Sequence, residues 1–126
     1  MNLKFTIHGN PITKKNHQRV FRRPNGSVGV AQSKQYVDYE KRCEKYIPYK
    51  YYDITFPINL KCVYYMETRR RVDLCNLLAA TCDILHKYGV INDDNSKIVV
   101  SHDGSRVFYD KENPRVEIEI TEIGEK

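Results

Sequence analysis

The run from Ile58 to Asp94 constrains the fold more than any other part of the chain. Ile58, Leu60, Cys62, Tyr64 and Met66 recur at every second position, the period of a strand that buries one face. Three arginines, Arg69, Arg70 and Arg71, follow directly. A helical pattern then opens at Asp73, with Leu74, Leu77, Leu78, Leu85 and Tyr88 on its apolar stripe. Asp73 suits the N-cap and Gly89 suits the C-terminal stop. A one-faced strand leading into an amphipathic helix needs a sheet layer with helices packed on it.

The rest of the chain extends that plan. Leu3, Phe5 and Ile7 alternate with Lys4, Thr6 and His8 as a first strand, ended by Gly9-Asn-Pro11. Pro24-Asn-Gly26 reads as the tip of a hairpin between two short arms. Ser33 caps a second helix carrying Tyr36, Tyr39, Cys43, Tyr46 and Ile47, which Pro48 closes. The tyrosine stripe reads as core packing, since helical spacing accounts for it, while Tyr49, Tyr51 and Tyr52 fall outside the stripe. Lys97–His102 and Arg115–Thr121 read as further strands joined by a polar segment. The expected order is β, hairpin, α, β, α, β, β: a single α+β domain over residues 1–126, a mixed sheet covered by two helices. A core this small gains from dimerisation.

Charge separates along the chain. Residues 1–50 hold 11 Lys/Arg against 3 Asp/Glu, a balance of +8, whereas residues 81–126 hold 6 against 10, or −4. A basic half points to a polyanionic partner, nucleic acid above all. Lys14, Lys15, His17, Arg19, Arg22 and Arg23 crowd into ten residues and read as a phosphate-facing arm. Arg69, Arg70 and Arg71 stand just before Asp73. Cations for phosphates beside carboxylates for a metal suit cleavage of a polyanion. Mg²⁺ takes hard oxygen ligands, so Asp73, Asp93 and Asp94 are the candidates; Asp83, inside the helix, is as well explained by solvent exposure. Glu117 and Glu119 read as solvent-facing strand residues.

Cys43, Cys62, Cys75 and Cys82 form no C-x-x-C pair. They read as buried thiols of a reducing compartment, in preference to a zinc site built from Cys75, Cys82 and His86. The alternating N-terminus lacks a signal-peptide core, and no apolar run spans a membrane. A cytoplasmic protein is expected.

Arg71-Val-Asp-Leu-Cys-Asn-Leu-Leu-Ala-Ala-Thr-Cys-Asp-Ile-Leu85, followed by Gly89-Val-Ile-Asn-Asp-Asp94, resembles the RusA family of Holliday junction resolvases. That family has Asp-Leu-Asp-Asn opening a helix and a later Asp-Asp before a strand. Gly9-Asn-Pro-Ile-Thr-Lys-Lys-Asn16 and Arg115-Val-Glu-Ile-Glu-Ile120 are similar to RusA-type segments as well. The resemblance implies a homodimeric endonuclease that binds four-way DNA junctions and nicks two related strands with Mg²⁺, or with Mn²⁺. It places the acidic ligands on Asp73 and Asp94, with Asp93 adjacent, and implies a phage or prophage setting. Two departures stand out. Cys75 occupies the second acidic position, and Ala79 the position of a helix lysine; Lys14, Lys15 or Lys97 are the candidates to replace that charge. A non-catalytic junction-binding protein and an RNA-binding module are the competing readings.

One length bears on the site. A helix of about fifteen residues is roughly 22 Å long, and five extended residues after Gly89 span at most about 18 Å. Asp94 therefore meets Asp73 either by running straight back along the helix or across a dimer interface.

Overall fold

A computed structural model describes residues 1–14 and 18–124, less the side chains of residues 18, 19, 30 and 32. The elements are β1 (Asn2–His8), β2 (Gln18–Arg22), β3 (Val28–Gln32), α1 (Lys34–Cys43), β4 (Ile58–Met66), α2 (Leu74–Lys87), β5 (Val99–Ser101), β6 (Arg106–Tyr109) and β7 (Arg115–Glu122). The main sheet runs β1-β7-β4-β5, and β6 pairs with β4 farther along the same edge as β5. β1–β7 and β4–β7 are antiparallel, while β5 and β6 lie parallel to β4. The sheet is therefore mixed, and a parallel return needs a crossover element, which α2 supplies. β2 and β3 form a separate two-stranded ribbon.

Alternation along β1, β4 and β7 puts one sheet face in the core. Ile7, Leu60, Cys62, Tyr64, Val116, Ile118 and Ile120 are buried there, joined by Tyr36 and Tyr39 of α1 and by Leu77, Ala80, Ile84 and Leu85 of α2. Each fully buried aliphatic chain contributes roughly 1.5–3 kcal/mol. Both helices share this face: Lys87 contacts Glu40 at 2.6 Å and the Tyr88 hydroxyl donates to the Glu40 carbonyl at 3.0 Å. The opposite face, with Lys4, Lys61, Tyr65, Glu117 and Glu119, faces solvent.

Both expected caps are present. The Ser33 hydroxyl accepts from the Tyr36 amide at 3.1 Å. The Asp73 carboxylate accepts from the amides of Cys75 and Asn76 at 2.8 and 3.4 Å. α2 ends at Gly89, whose φ of +72° suits glycine; a Cβ there would also come within 3.0 Å of the Tyr51 Cα. α1 stops earlier than the Pro48 boundary implies, and Glu44–Tyr46 continues as a 3-10 turn. The largest correction concerns β6, which falls in the segment read as polar. All four of its residues are exposed, so it shows no burial alternation, and only the Val107-Phe-Tyr109 run marks it as a strand. No helix is long and apolar enough to cross a membrane.

Two buried tyrosines differ in their hydroxyls. Thr81 donates its one proton to the Leu77 carbonyl at 3.0 Å, so the Tyr64 hydroxyl donates to Thr81 at 2.6 Å. The Tyr36 hydroxyl has no partner among the described residues. Tyr64→Phe should cost about 1 kcal/mol and Tyr36→Phe should be neutral or stabilising. Urea unfolding midpoints of the two variants check this directly.

Candidate functional site

Asp73 lies at the first turn of α2, just past the arginine loop that leaves β4. Its Oδ1 satisfies two of the helix's otherwise unbonded amides, while Oδ2 accepts no hydrogen bond among the described residues. The side chain is exposed, as are those of Cys75 and Ala79. The helix N-terminus also carries partial positive charge, which favours a carboxylate or a phosphate at this point.

Asp93 and Asp94 occupy the turn that returns the chain to the sheet. Asp93 is spent locally: its Oδ1 accepts from the Asp94 amide at 2.8 Å and its Oδ2 from the Asn95 side chain at 2.9 Å. The Asn95 bond first, and the Asp94 amide next, hold the Asp93 carboxyl below the usual aspartate range. The Asp94 carboxylate is exposed and accepts no hydrogen bond among the described residues. Asp73 Oδ2 and the Asp94 carboxylate thus carry no hydrogen bond among the described residues, whereas each Asp93 oxygen already accepts one, a difference the sequence alone does not show.

The three acids do not converge within one subunit. The amide of Asn92 donates to the Ile54 carbonyl and the amide of Ile58 to the Ile98 carbonyl, so the Asp93–Asp94 turn is anchored at the start of β4. Asp73 follows the other end of that strand. The 14 residues of α2, about 21 Å, run between the two ends. Burial first, then the charges of Asp94 and Asp83, push the Cys82 thiol up to about 12. Cys82 is nine residues from Asp73, about 13 Å along the helix, and oxygens bound to one Mg²⁺ lie about 3 to 4 Å apart. Among the described residues no three His, Cys, Asp or Glu gather as a metal site, and the zinc alternative from Cys75, Cys82 and His86 is likewise not assembled. Cys43, Cys62 and Cys82 are buried free thiols, and only Cys75 is exposed.

Asp83 is not the idle helix acid that the sequence suggests. The Lys14 ammonium sits 2.9 Å from its Oδ2 and 5.8 Å from the Tyr36 ring centre. Asp83 lies one turn beyond Ala79 on the same helix face, so the β1–β2 loop brings a cation to the side of α2 where Ala79 provides none. With side chains 33% and 39% exposed, this pair is a weak source of stability, and its placement matters more than its energy.

The arginine loop is differently disposed. Arg69, Arg70 and Arg71 are exposed and make no salt bridge among the described residues. Arg69 stacks on Tyr109 at 4.2 Å. Arg70 and Arg71 line a polar cleft with Thr13, Gln35 and Glu67. Arg22 and Arg23 are exposed on and next to the ribbon, and Arg23 folds back over the Phe21 ring. Lys15 and His17, together with the side chain of Arg19, lie outside the described residues.

The model for the family described as "Endodeoxyribonuclease RusA" matches residues 8–121. A comparison with curated proteins finds no match.

The cap at Asp73 separates structure from chemistry. Asp73→Ala should lose about 1 kcal/mol of stability, whereas Asp73→Asn should keep most of the cap. Cys75→Asp, exposed in the first turn, should leave stability unchanged or slightly raised through the helix dipole. Urea titrations of the three variants read these differences.

Proposed function

The chain belongs to the RusA family of endodeoxyribonucleases, metal-dependent nucleases of the Holliday junction resolvase type, and from that premise we propose that it binds four-way DNA junctions as a homodimer and nicks two symmetry-related strands with Mg²⁺, or with Mn²⁺ in its place. The observation that carries this reading is the free Oδ2 of Asp73 at the N-terminus of α2, directly beside three arginines with no acidic partner among the described residues.

In this reading Asp73 and Asp94 hold the metal, and Asp93 fixes the turn that presents Asp94. When bound, the metal polarises the scissile phosphate and activates water. Arg69, Arg70 and Arg71 grip the backbone on either side of the cut, and Lys14, steadied by Asp83, offers its ammonium to the phosphate where Ala79 offers nothing. Arg19, Arg22, Arg23 and Lys15 extend the phosphate contacts outward. Asp73 and the Asp93–Asp94 turn flank opposite ends of β4, and the three acids form no common cluster among the described residues; this supports a site completed across the two-fold axis, with Asp73 facing Asp94 of the partner subunit. Two such sites would meet two equivalent strands of a four-way junction. The buried free thiols suit a reducing, cytoplasmic setting.

A second reading has its own observation. Cys75 places an exposed thiol where the family has a carboxylate, and a thiol is a poor Mg²⁺ ligand. A protein with so few hard ligands could bind junctions and cut them slowly or not at all.

The test is cleavage of a labelled four-way junction and a matched linear duplex in Mg²⁺, Mn²⁺ or EDTA. Wild type should nick the junction with either metal and neither substrate in EDTA. Asp73→Asn should abolish cutting while binding the junction as tightly or more tightly; normal cutting by this variant would remove Asp73 from the site. Cys75→Asp, with no burial cost, should lower the Mg²⁺ concentration needed for half-maximal cutting. Binding without any cutting by wild type, restored in Cys75→Asp, would favour the second reading.

A further inference from the structure

The β2–β3 ribbon carries apolar side chains that the core does not use. Val20 is 71% exposed, Phe21 42% and Val28 57%, and none of them belongs to the core or packs against it. A two-stranded ribbon is marginal by itself, so these side chains add little to its own stability.

Phe21 nevertheless has a built seat. It pairs across the ribbon with Gly29. A Cβ at Gly29 would fall 2.5 Å from the Phe21 ring and 2.7 Å from Arg23 Nη2. The ring therefore lies over the glycine backbone, and the Arg23 guanidinium covers it 5.2 Å from the ring centre. Arg23 is fixed in turn, because its Nη1 donates to the Val28 carbonyl at 3.0 Å. The tip is pinned as well: the Gly26 amide donates to the Arg23 carbonyl and the Ser27 amide to the Asn25 side chain. Residues 18–33 contain three arginines and no acid.

An aromatic ring beside a fixed guanidinium, on a segment whose sequence holds no acid, fits a partner that offers phosphates and an open base face together. Stacked bases in a linear duplex offer no such face at mid-helix, whereas a branch point does, and proteins insert apolar wedges at such unstacked steps. We propose that Phe21, its ring tip seated on Gly29 and 42% of its surface open, is a wedge that stacks its exposed side on the base pair at the branch point of a DNA junction while Arg22 contacts the flanking phosphate. The proposal rests on the junction reading above and gives it a source of structural selectivity.

The test uses a four-way junction with 2-aminopurine at a branch-point pair and a linear duplex with the same label, both in EDTA so that nothing is cut. Wild type should change the junction's fluorescence and prefer the junction. Phe21→Ala should lose the fluorescence change and about ten-fold or more of junction affinity, with duplex affinity retained. Phe21→Trp should keep both properties. Because Phe21 lies outside the core, melting temperatures should match wild type. Unchanged junction preference in Phe21→Ala overturns the wedge and leaves the junction reading standing. An equal loss on both substrates also overturns it, making Phe21 a general DNA contact. A change of mass on size exclusion overturns it in favour of a subunit contact. Wild type that treats junction and duplex alike overturns the junction reading and the wedge with it.

Discussion

Everything at the candidate site depends on the burial of one face of α2 against the sheet. Leu77, Ala80, Ile84 and Leu85 anchor the helix, and the Tyr64–Thr81 hydrogen bond ties it to β4. With that face in place, the helix N-terminus emerges beyond the end of β4 and its first amides need acceptors. Asp73 supplies them with one oxygen and keeps the other free. The same parallel return that requires a crossover helix carries Asp93 and Asp94 toward the other end of the sheet. The fold thus places the two carboxylates on segments that flank opposite ends of β4. In the proposed two-fold dimer, a partner related by rotation would bring the far end of its own α2 to the near end of this one.

The charge separation along the sequence has a structural counterpart. Three acids of the C-terminal half are engaged with partners on the open sheet face: Glu119 with Lys4, Lys61 and Asn2, and Glu117 and Asp110 with Arg115. Arg115 also stacks on Tyr65 at 3.8 Å, which completes a self-contained network. The cations of the arginine loop and of the described part of the ribbon have no acidic partner among the described residues. A net charge of +5 therefore understates the local field that a polyanion meets at those cations.

Much of this was legible in the sequence because its signals were local. Two-residue alternation marked β1, β4 and β7. The caps at Ser33 and Asp73 and the stop at Gly89 marked the helices. β6 escaped because it is short, exposed on all four residues and held by parallel pairing with β4, which no local pattern reports. The site was less legible. Asp93 and Asp94 are equivalent as letters, and only hydrogen bonds show that one is spent and the other free. Lys14 was one of several candidate cations until Asp83, 69 positions away, placed it. Phe21 gave no signal without Gly29 opposite it. Long-range pairing decided β6 and Lys14, whereas side-chain bonds within one turn set Asp93 apart from Asp94 and hairpin register placed Phe21.

The central claim is that Asp73 and Asp94 act together, one from each subunit. Mixing Asp73→Asn and Asp94→Asn proteins, after verified subunit exchange, tests it most directly. A shared site predicts that neither variant nicks a four-way junction alone, while the mixture regains nicking, because each mixed dimer rebuilds one intact pair. A mixture as inactive as its parents, with exchange demonstrated by differential tags, would contradict the account.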